Sequence, residues 1–481
     1  MQAAKIEDFK EKVIGGVFAL TSRTFVLQVI SFIATFILTV MLSPSVFGVF
    51  FVVSAVISFL NYFSDIGLAA ALIQKKEEPG RIELLSVFTV QQIIVLAIVL
   101  LVFLSIPNIA GFYKLTESGI FLLKALLISF FLASLKTIPS ILLERKLEFS
   151  RLVMPQILEN LAFYITAILL AYFHFAEASF AWAALFRGIV GLLAIYYVSP
   201  WMPGIAFSYS SIRKLITFGI PFQANSFLAL IKDDLLTLYL GHVLPFSAIG
   251  YLGWAKKWAE VPLRLIMDSV IKVTFPAFSR IAHKKEMLSK ALNKTVLFLA
   301  VFTFPVSVLL IIYISPLLRF VPKYLKWLPA VPAFYLFSLS ALLSAFSSPL
   351  VNALNALGKI KKTLLLMIFW TVLTWILVPV LTSFIGLNGW ALSSLIISST
   401  LFLPVFLLKK FVNFSFTANI LKPLSAALIM SGFSILTLFL VNNIYQLVFF
   451  MTVSALIYFS LIFWLIRLEL MPFLPGFGKK V

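Results

Sequence analysis

The chain has 481 residues, of which 62% are hydrophobic and only 12% charged, with a formal net charge of +20 and no cysteine. A soluble protein of this size needs far more polar surface, so the composition excludes an ordinary water-soluble domain. The missing cysteines exclude disulfides, iron–sulfur clusters and thiolate zinc sites, and the positive charge is spread between apolar runs rather than gathered into a nucleic-acid-binding patch.

Apolar runs long enough to cross a bilayer recur along the chain, and nothing alternates with the period of a β-barrel strand. Helices satisfy their own backbone hydrogen bonds in lipid, so the sequence predicts an all-α integral membrane protein. About fourteen spans are expected, roughly at 13–42, 46–74, 84–107, 119–143, 152–174, 178–200, 213–240, 246–276, 292–318, 327–357, 363–385, 388–408, 422–441 and 444–466. The first run is too long for a signal-peptide core, so it reads as a retained helix.

Basic residues mark one set of loops: Lys75 and Arg81, Arg145 and Lys146, Arg213 and Lys214, Lys284 and Lys285, Lys361 and Lys362, Lys409 and Lys410. The alternate loops carry only Lys114, Arg319, Lys323 and Lys326. By the positive-inside rule, both termini are expected in the cytoplasm. The span at 246–276 is rich in charge and could instead lie on the membrane surface, but then every later loop would change sides.

The peptide LSPSVFGVF at 42–50 is echoed by LPFSAIGYL at 244–252, with Leu42, Ser45 and Gly48 matching Leu244, Ser247 and Gly250. An offset of about 200 residues maps the first six spans onto the next six, a parallel repeat with its pseudo-axis along the membrane normal. The expected division is a six-helix lobe at 1–203, a second at 204–411, and two further helices with a tail at 412–481.

Ionisable groups inside spans are costly and usually face a cavity or a partner. The basic candidates for an anion-binding cavity are Arg23, Lys232, Lys256, Lys257, Arg264 and Lys272; a lone Arg23 suits a phosphate because its guanidinium can fork onto two oxygens. The acids Asp65, Glu159, Asp233, Asp234, Glu260 and Asp268 are candidates for a coupling ion or a gate. Lys256, Glu260, Arg264, Asp268 and Lys272 recur every four residues with alternating sign. They form either a self-neutralising ladder or the wall of a watery cavity. Gly219 with Pro221 should break or kink the seventh span, and Pro262 should bend the eighth, so these three are hinge candidates. No catalytic constellation, metal site or cofactor motif is present in the pattern, and His174, His242 and His283 fall near segment ends.

The chain resembles the O-antigen and exopolysaccharide flippases, the polysaccharide transporter group of the multidrug/oligosaccharidyl-lipid/polysaccharide exporter superfamily. The resemblance rests on DIGLAAALIQ at 65–74, PSILLERKLEF at 139–149, the Gly219, Pro221, Phe222 and Asp233 pattern, GYLGWAKKWAEVP at 250–262, and FPAFSR at 275–280. It implies two lobes around a central cavity and export of polyprenyl-diphosphate-linked (undecaprenyl-type) oligosaccharide to the outer leaflet, coupled to H+ or Na+. It also implies a bacterial or archaeal inner membrane, lipid as surroundings and other polysaccharide assembly proteins as partners. A multidrug or organic-cation antiporter of the same superfamily is the alternative, although the embedded basic residues outnumber the acids. A polyprenyl-linked sugar polymerase or ligase is remote, because such enzymes need a large outward loop and none is expected here.

Overall fold

The computed structural model describes residues 24–75 and 77–470; within these, the side chains of 218, 220–222, 224–229, 261–263, 265, 268–269, 272–273 and 466–470 lie outside the described set. Every regular element among the described residues is helical. In chain order they are α1 (Thr24–Met41), α2 (Pro44–Tyr62), α3 (Leu68–Gln74), α4 (Arg81–Tyr113), α5 (Glu117–Leu135), α6 (Thr137–Arg145), α7 (Phe149–Tyr172), α8 (Glu177–Val198) and α9 (Tyr209–Val243). There follow α10 (Phe246–Ile281), α11 (Lys285–Phe320), α12 (Val331–Ala356), α13 (Ile360–Ile385), α14 (Asn388–Ser399), α15 (Phe402–Lys409), α16 (Phe416–Thr437) and α17 (Ile444–Leu470).

Among the described residues twelve stretches are long and apolar enough to cross a membrane, one of them made of α14 and α15 together, so the chain is a multi-pass membrane protein. The seventh and eighth expected spans fall on α9 and α10, of 35 and 36 residues, which are not among those twelve and parts of whose side chains are outside the described set. Large exposed apolar side chains such as Leu104, Leu193, Phe384 and Trp464 suit a lipid-facing surface.

Three predicted single helices are divided. The span expected at 46–74 breaks after α2, where Ile66 and Gly67 take positive φ of 50° and 76° and α3 begins afresh. A left-handed backbone ends a helix, and glycine adopts it without a side-chain clash. The fourth span divides at Lys136, between α5 and α6, and the twelfth between α14 and α15. Conversely, α9 runs without a break through Gly219 and Pro221, and α10 through Pro262. The expected interruption of the seventh span is therefore absent from its backbone. A proline in a helix loses one hydrogen bond, which neighbouring elements in a membrane bundle can offset.

The chain divides into two compact units, residues 1–250 and 251–481. In the first, α8 packs against α5 and α7, and α2 lies along α9. Phe50 stacks on Phe180 at 4.3 Å between centroids, while Phe47 meets the same ring edge-on at 5.5 Å. In the second unit, α11 packs on α12, α16 and α17. There Leu292, Val296, Ala300, Leu350 and Tyr458 are fully buried, and Trp254 stacks on Trp327 at 5.6 Å.

The repeated peptides meet one another. A Cβ on Gly48 would lie 2.9 Å from Phe246 Cα, and one on Gly250 would lie 3.1 Å from Pro44 Cα, each with the neighbouring carbonyl closer still. Phe246 occupies in the second copy the place that Pro44 holds in the first. The contact is thus reciprocal in the way a twofold axis demands, with each glycine seating the other copy's backbone.

Candidate functional site

The break after α2 shapes a cavity of about 600 Å³ inside the first unit. Ser58, Asn61, Tyr62, Ser64 and Asp65 line it from the end of α2 and the break, Gln91 from α4, Thr137 from the start of α6, and Gln223, Leu230, Asp233 and Asp234 from α9. Its volume suits a small-molecule site, and its lining is polar where the surrounding helices are apolar.

The wall is held by short-range chemistry. Asp65 accepts hydrogen bonds from the backbone N–H of Gly67 at 2.9 Å and Ala69 at 3.3 Å, so its carboxylate sits at the N-terminal end of α3 where the helix dipole favours negative charge. Tyr62 donates its hydroxyl to the Gln223 carbonyl at 2.7 Å, and Gln223 Nε2 donates back to the Tyr62 carbonyl at 2.7 Å. Next to this double tie the backbones cross closely: a Cβ on Gly219 would lie 2.8 Å from the carbonyl oxygens of both Ile66 and Gly67. Gly219 was expected as a hinge; its missing side chain lets α9 rest on the α2–α3 break.

Gln91 is 3% exposed. Its Nε2 donates to Thr137 Oγ1 at 2.9 Å, while Oε1 is buried without a partner. Asp233 is exposed to the cavity. The lining thus gathers three of the predicted acids, and none of the predicted basic residues belongs to it among the described residues. Lys232 is half-buried elsewhere on α9, and Arg23 lies outside the described residues.

Glu159 belongs to a different cluster. Lys136 Nζ lies 2.5 Å from Glu159 Oε2 and Arg187 Nη2 lies 3.9 Å from Glu159 Oε1, joining the α5–α6 junction to α7 and α8. A Cβ on Gly191 would come within 2.9 Å of Lys136 Nζ, so the glycine leaves room for the pair. This is a structural staple between helices that carries one excess positive charge, and Arg187, with its side chain 46% exposed, presents it.

In the second unit Glu260 bridges its two helical neighbours, 2.9 Å from Arg264 Nη2 and 4.0 Å from Lys256 Nζ. Lys256 also lies 4.8 Å from the centroid of the Trp390 ring. The first three members of the series therefore pair along one helix face. The side chains of Asp268, Lys272, Pro221 and Pro262 lie outside the described residues. Lys257 is half-buried on the same helix.

Sequence reasoning picked out charges and missed the neutral polar groups: Asn61, Tyr62, Gln91, Thr137 and Gln223. A signal was present, since Gln91 and Gln92 form an amide pair directly before the apolar run 93–104 of α4.

The comparisons agree with this architecture. Among solved structures the fold is similar to that of the lipid II flippase MurJ in an inward closed conformation, with a TM-score of 0.73 at 17% identity, covering 93% of this chain and 100% of that one. It is also similar to an inward-facing multidrug resistance MATE transporter of the MOP superfamily, with a TM-score of 0.60 at 15% identity, covering 80% and 95%. Among curated proteins, TuaB, a teichuronic acid biosynthesis protein of Bacillus subtilis, is 26% identical over 306 residues, 63% of this chain and 62% of TuaB. WzxC, a lipopolysaccharide biosynthesis protein of Escherichia coli, is 24% identical over 368 residues, 76% and 74% of the two chains. The match to TuaB thus spans less than two thirds of that protein's length. The family model described as "Polysaccharide biosynthesis protein" matches residues 37–332, and with more than half of its length in that match the chain belongs to the polysaccharide biosynthesis protein family.

Proposed function

We propose that this protein is a flippase that moves polyprenyl-diphosphate-linked oligosaccharide from the inner to the outer leaflet of a bacterial or archaeal cytoplasmic membrane, for surface polysaccharide biosynthesis. The observation that carries the reading is membership of a polysaccharide biosynthesis family by a chain that is helical and multi-pass throughout its described length. The related chains TuaB and WzxC, named for surface polymers, and the fold shared with a lipid II flippase support it. The protein acts as a transporter rather than an enzyme, by alternating access between its two repeated halves, with both termini cytoplasmic.

Arg23, Lys232, Lys256, Lys257, Arg264 and Lys272 would stabilise the diphosphate, whose charge makes the crossing costly without cationic partners. Arg264 suits the part because its side chain is 64% exposed while its position is set by Glu260. The acids Asp65, Asp233 and Asp234 would serve a coupling ion. Their shared cavity also supports a second reading, a cation antiporter, since an acidic lining favours cationic cargo.

The deciding experiment is reconstitution in liposomes with a radiolabelled polyprenyl-diphosphate oligosaccharide and, in parallel, an organic cation. Leaflet exchange of the oligosaccharide that falls at least tenfold in Arg264→Ala is expected. Movement of the organic cation alone would replace the flippase with the antiporter.

A further inference from the structure

From residue 287 to residue 468 the chain contains twelve lysines and arginines and not one aspartate or glutamate. The first unit is built differently. There Lys75 meets Glu83 at 2.7 Å and Arg151 meets Glu148 at 2.8 Å, so basic residues near its helix ends are answered within the protein. In the acid-free stretch of the second unit the counter-charge has to come from elsewhere. The sharpest case lies where the α12–α13 turn meets the end of α15. Lys359 Nζ and Lys362 Nζ lie 4.8 Å and 4.6 Å from the centroid of one ring, Phe411, and Lys410 Nζ lies 4.5 Å from that of Phe406. Among the described residues no ion pair answers any of these three lysines. Two ammonium groups on one ring stand within about 10 Å of each other, roughly one Debye length, and repel. They also stand at the start of α13, where the helix macrodipole opposes positive charge. Cation–π contact offsets part of this cost. The corner itself is rigid. Gly358 takes a φ of 71°, the Lys359 N–H donates to the Leu354 carbonyl at 2.9 Å, and Thr363 Oγ1 donates to Asn355 Oδ1 at 2.7 Å, tying the start of α13 to the end of α12. Phe411 packs on the core of the second unit beside the buried Val412 and Phe414. Immediately along the helices from the lysines, Leu364 on α13 and Phe402 and Phe406 on α15 expose apolar side chains.

We propose that this corner binds an anionic phospholipid of the surrounding bilayer, its phosphate held by Lys359, Lys362 and Lys410 and its acyl chains lying along Leu364, Phe402 and Phe406. A lipid fits better than a soluble acidic partner. The ammonium groups rest on aromatic rings at the edge of the apolar belt, where a head group lies in any case. With the orientation drawn from the basic loops, the corner faces the cytoplasm, the side on which anionic head groups attract such lysines. The consequence is mechanical. A bound phosphate cancels the repulsion between the lysines and fastens the α12–α13 turn and the end of α15 to the leaflet. The inference goes beyond the flippase reading and does not depend on it.

The test uses the full-length protein, delipidated in a neutral detergent, with bound lipid counted by native mass spectrometry. Phosphatidylglycerol and phosphatidylcholine with the same acyl chains are titrated in parallel. About a tenfold preference for phosphatidylglycerol is expected. Lys359→Gln/Lys362→Gln should remove most of it, and Lys359→Arg/Lys362→Arg, which keeps the charge, should retain it. Lys410→Gln, at an exposed position the fold does not need, should lower it about two- to threefold. Arg319→Gln/Lys323→Gln removes the same charge from the far end of α11 and the turn after it, and should leave the preference intact. Equal binding of the two lipids by the wild type, or a preference that survives the glutamine variants, would overturn the proposal. So would displacement of the lipid by inorganic diphosphate or by poly-glutamate, which would assign the lysines to a free phosphate or to an acidic protein. Displacement by about tenfold less polyprenyl diphosphate would overturn it too, in favour of the cargo.

Discussion

Asp65 and Arg145 close the two ends of the same seven-residue helix. The Asp65 carboxylate receives the N–H groups of Gly67 and Ala69 at the start of α3. At its far end the Arg145 guanidinium donates to the carbonyl of Leu72, and further to those of Ile73 at 3.4 Å, Lys75 at 2.8 Å and Glu77 at 2.8 Å. The stretches DIGLAAALIQ and PSILLERKLEF are therefore two halves of one device. A helix this short cannot hold itself by propensity, so its unpaired amides and carbonyls need outside partners.

Replacing Arg145 by lysine is expected to destabilise the protein by about 2 kcal/mol despite the retained charge. A single ammonium cannot reach carbonyls spread over six residues, as a planar guanidinium can. A lowered melting temperature, with proteolytic sensitivity increased near 75–80, checks this. An unchanged melt would mean that α3 is held by its packing alone.

Gly48→Ala and Gly250→Ala should each cost at least about 2 kcal/mol, because the added methyl meets backbone rather than a side chain that can turn away. Gly432, inside α16, has nothing within 4 Å of a built Cβ. Gly432→Ala should be neutral or stabilising by about 0.5 kcal/mol. The three variants differ by one methyl each, so comparing their melting curves isolates the reciprocal crossing.

The Lys136–Glu159 pair should be strongly coupled. Glu159→Gln leaves two cations facing one another within the helices, at an expected cost of about 3 kcal/mol. Lys136→Met added to it should recover most of that loss. A double-mutant cycle on thermal stability reads the coupling, and additive single effects would show that the pair is solvated rather than stapling α7 to the α5–α6 junction.

Arg264→Gln separates function from stability. Its ion pair with Glu260 is largely exposed and is worth under about 1 kcal/mol, so the melting temperature should hardly move. Translocation of the lipid-linked oligosaccharide should nevertheless drop at least tenfold. A variant that transports normally would return Lys256, Glu260 and Arg264 to a purely structural ladder.

The orientation is open to direct labelling, helped by the absence of native cysteine. A single cysteine at Lys361 should react with an impermeant maleimide only from the cytoplasmic face, and one at Glu117 only from the outside. The reverse pattern would invert the topology drawn from the basic loops.

Much of this architecture was legible in the chain itself. A bilayer demands long apolar helices, so the spans follow from hydropathy, and the matching LSPSVFGVF and LPFSAIGYL peptides announce a repeat whose copies meet at Gly48 and Gly250. Charge alternation every four residues foretold the Glu260 bridge, because neighbours on one helix face are set by local geometry alone. Only the tertiary structure decided the rest. A hydropathy pattern passes over the break at Gly67, since the few polar residues between Asn61 and Asp65 do not interrupt the long apolar run of 46–74, and it cannot say that Gly219 serves as a seat for that break. Nor can it bring Gln91, Thr137 and Asp233 to one cavity: they lie up to 142 positions apart in the sequence, and a neutral amide or hydroxyl gains meaning only from the groups that folding places, or fails to place, beside it.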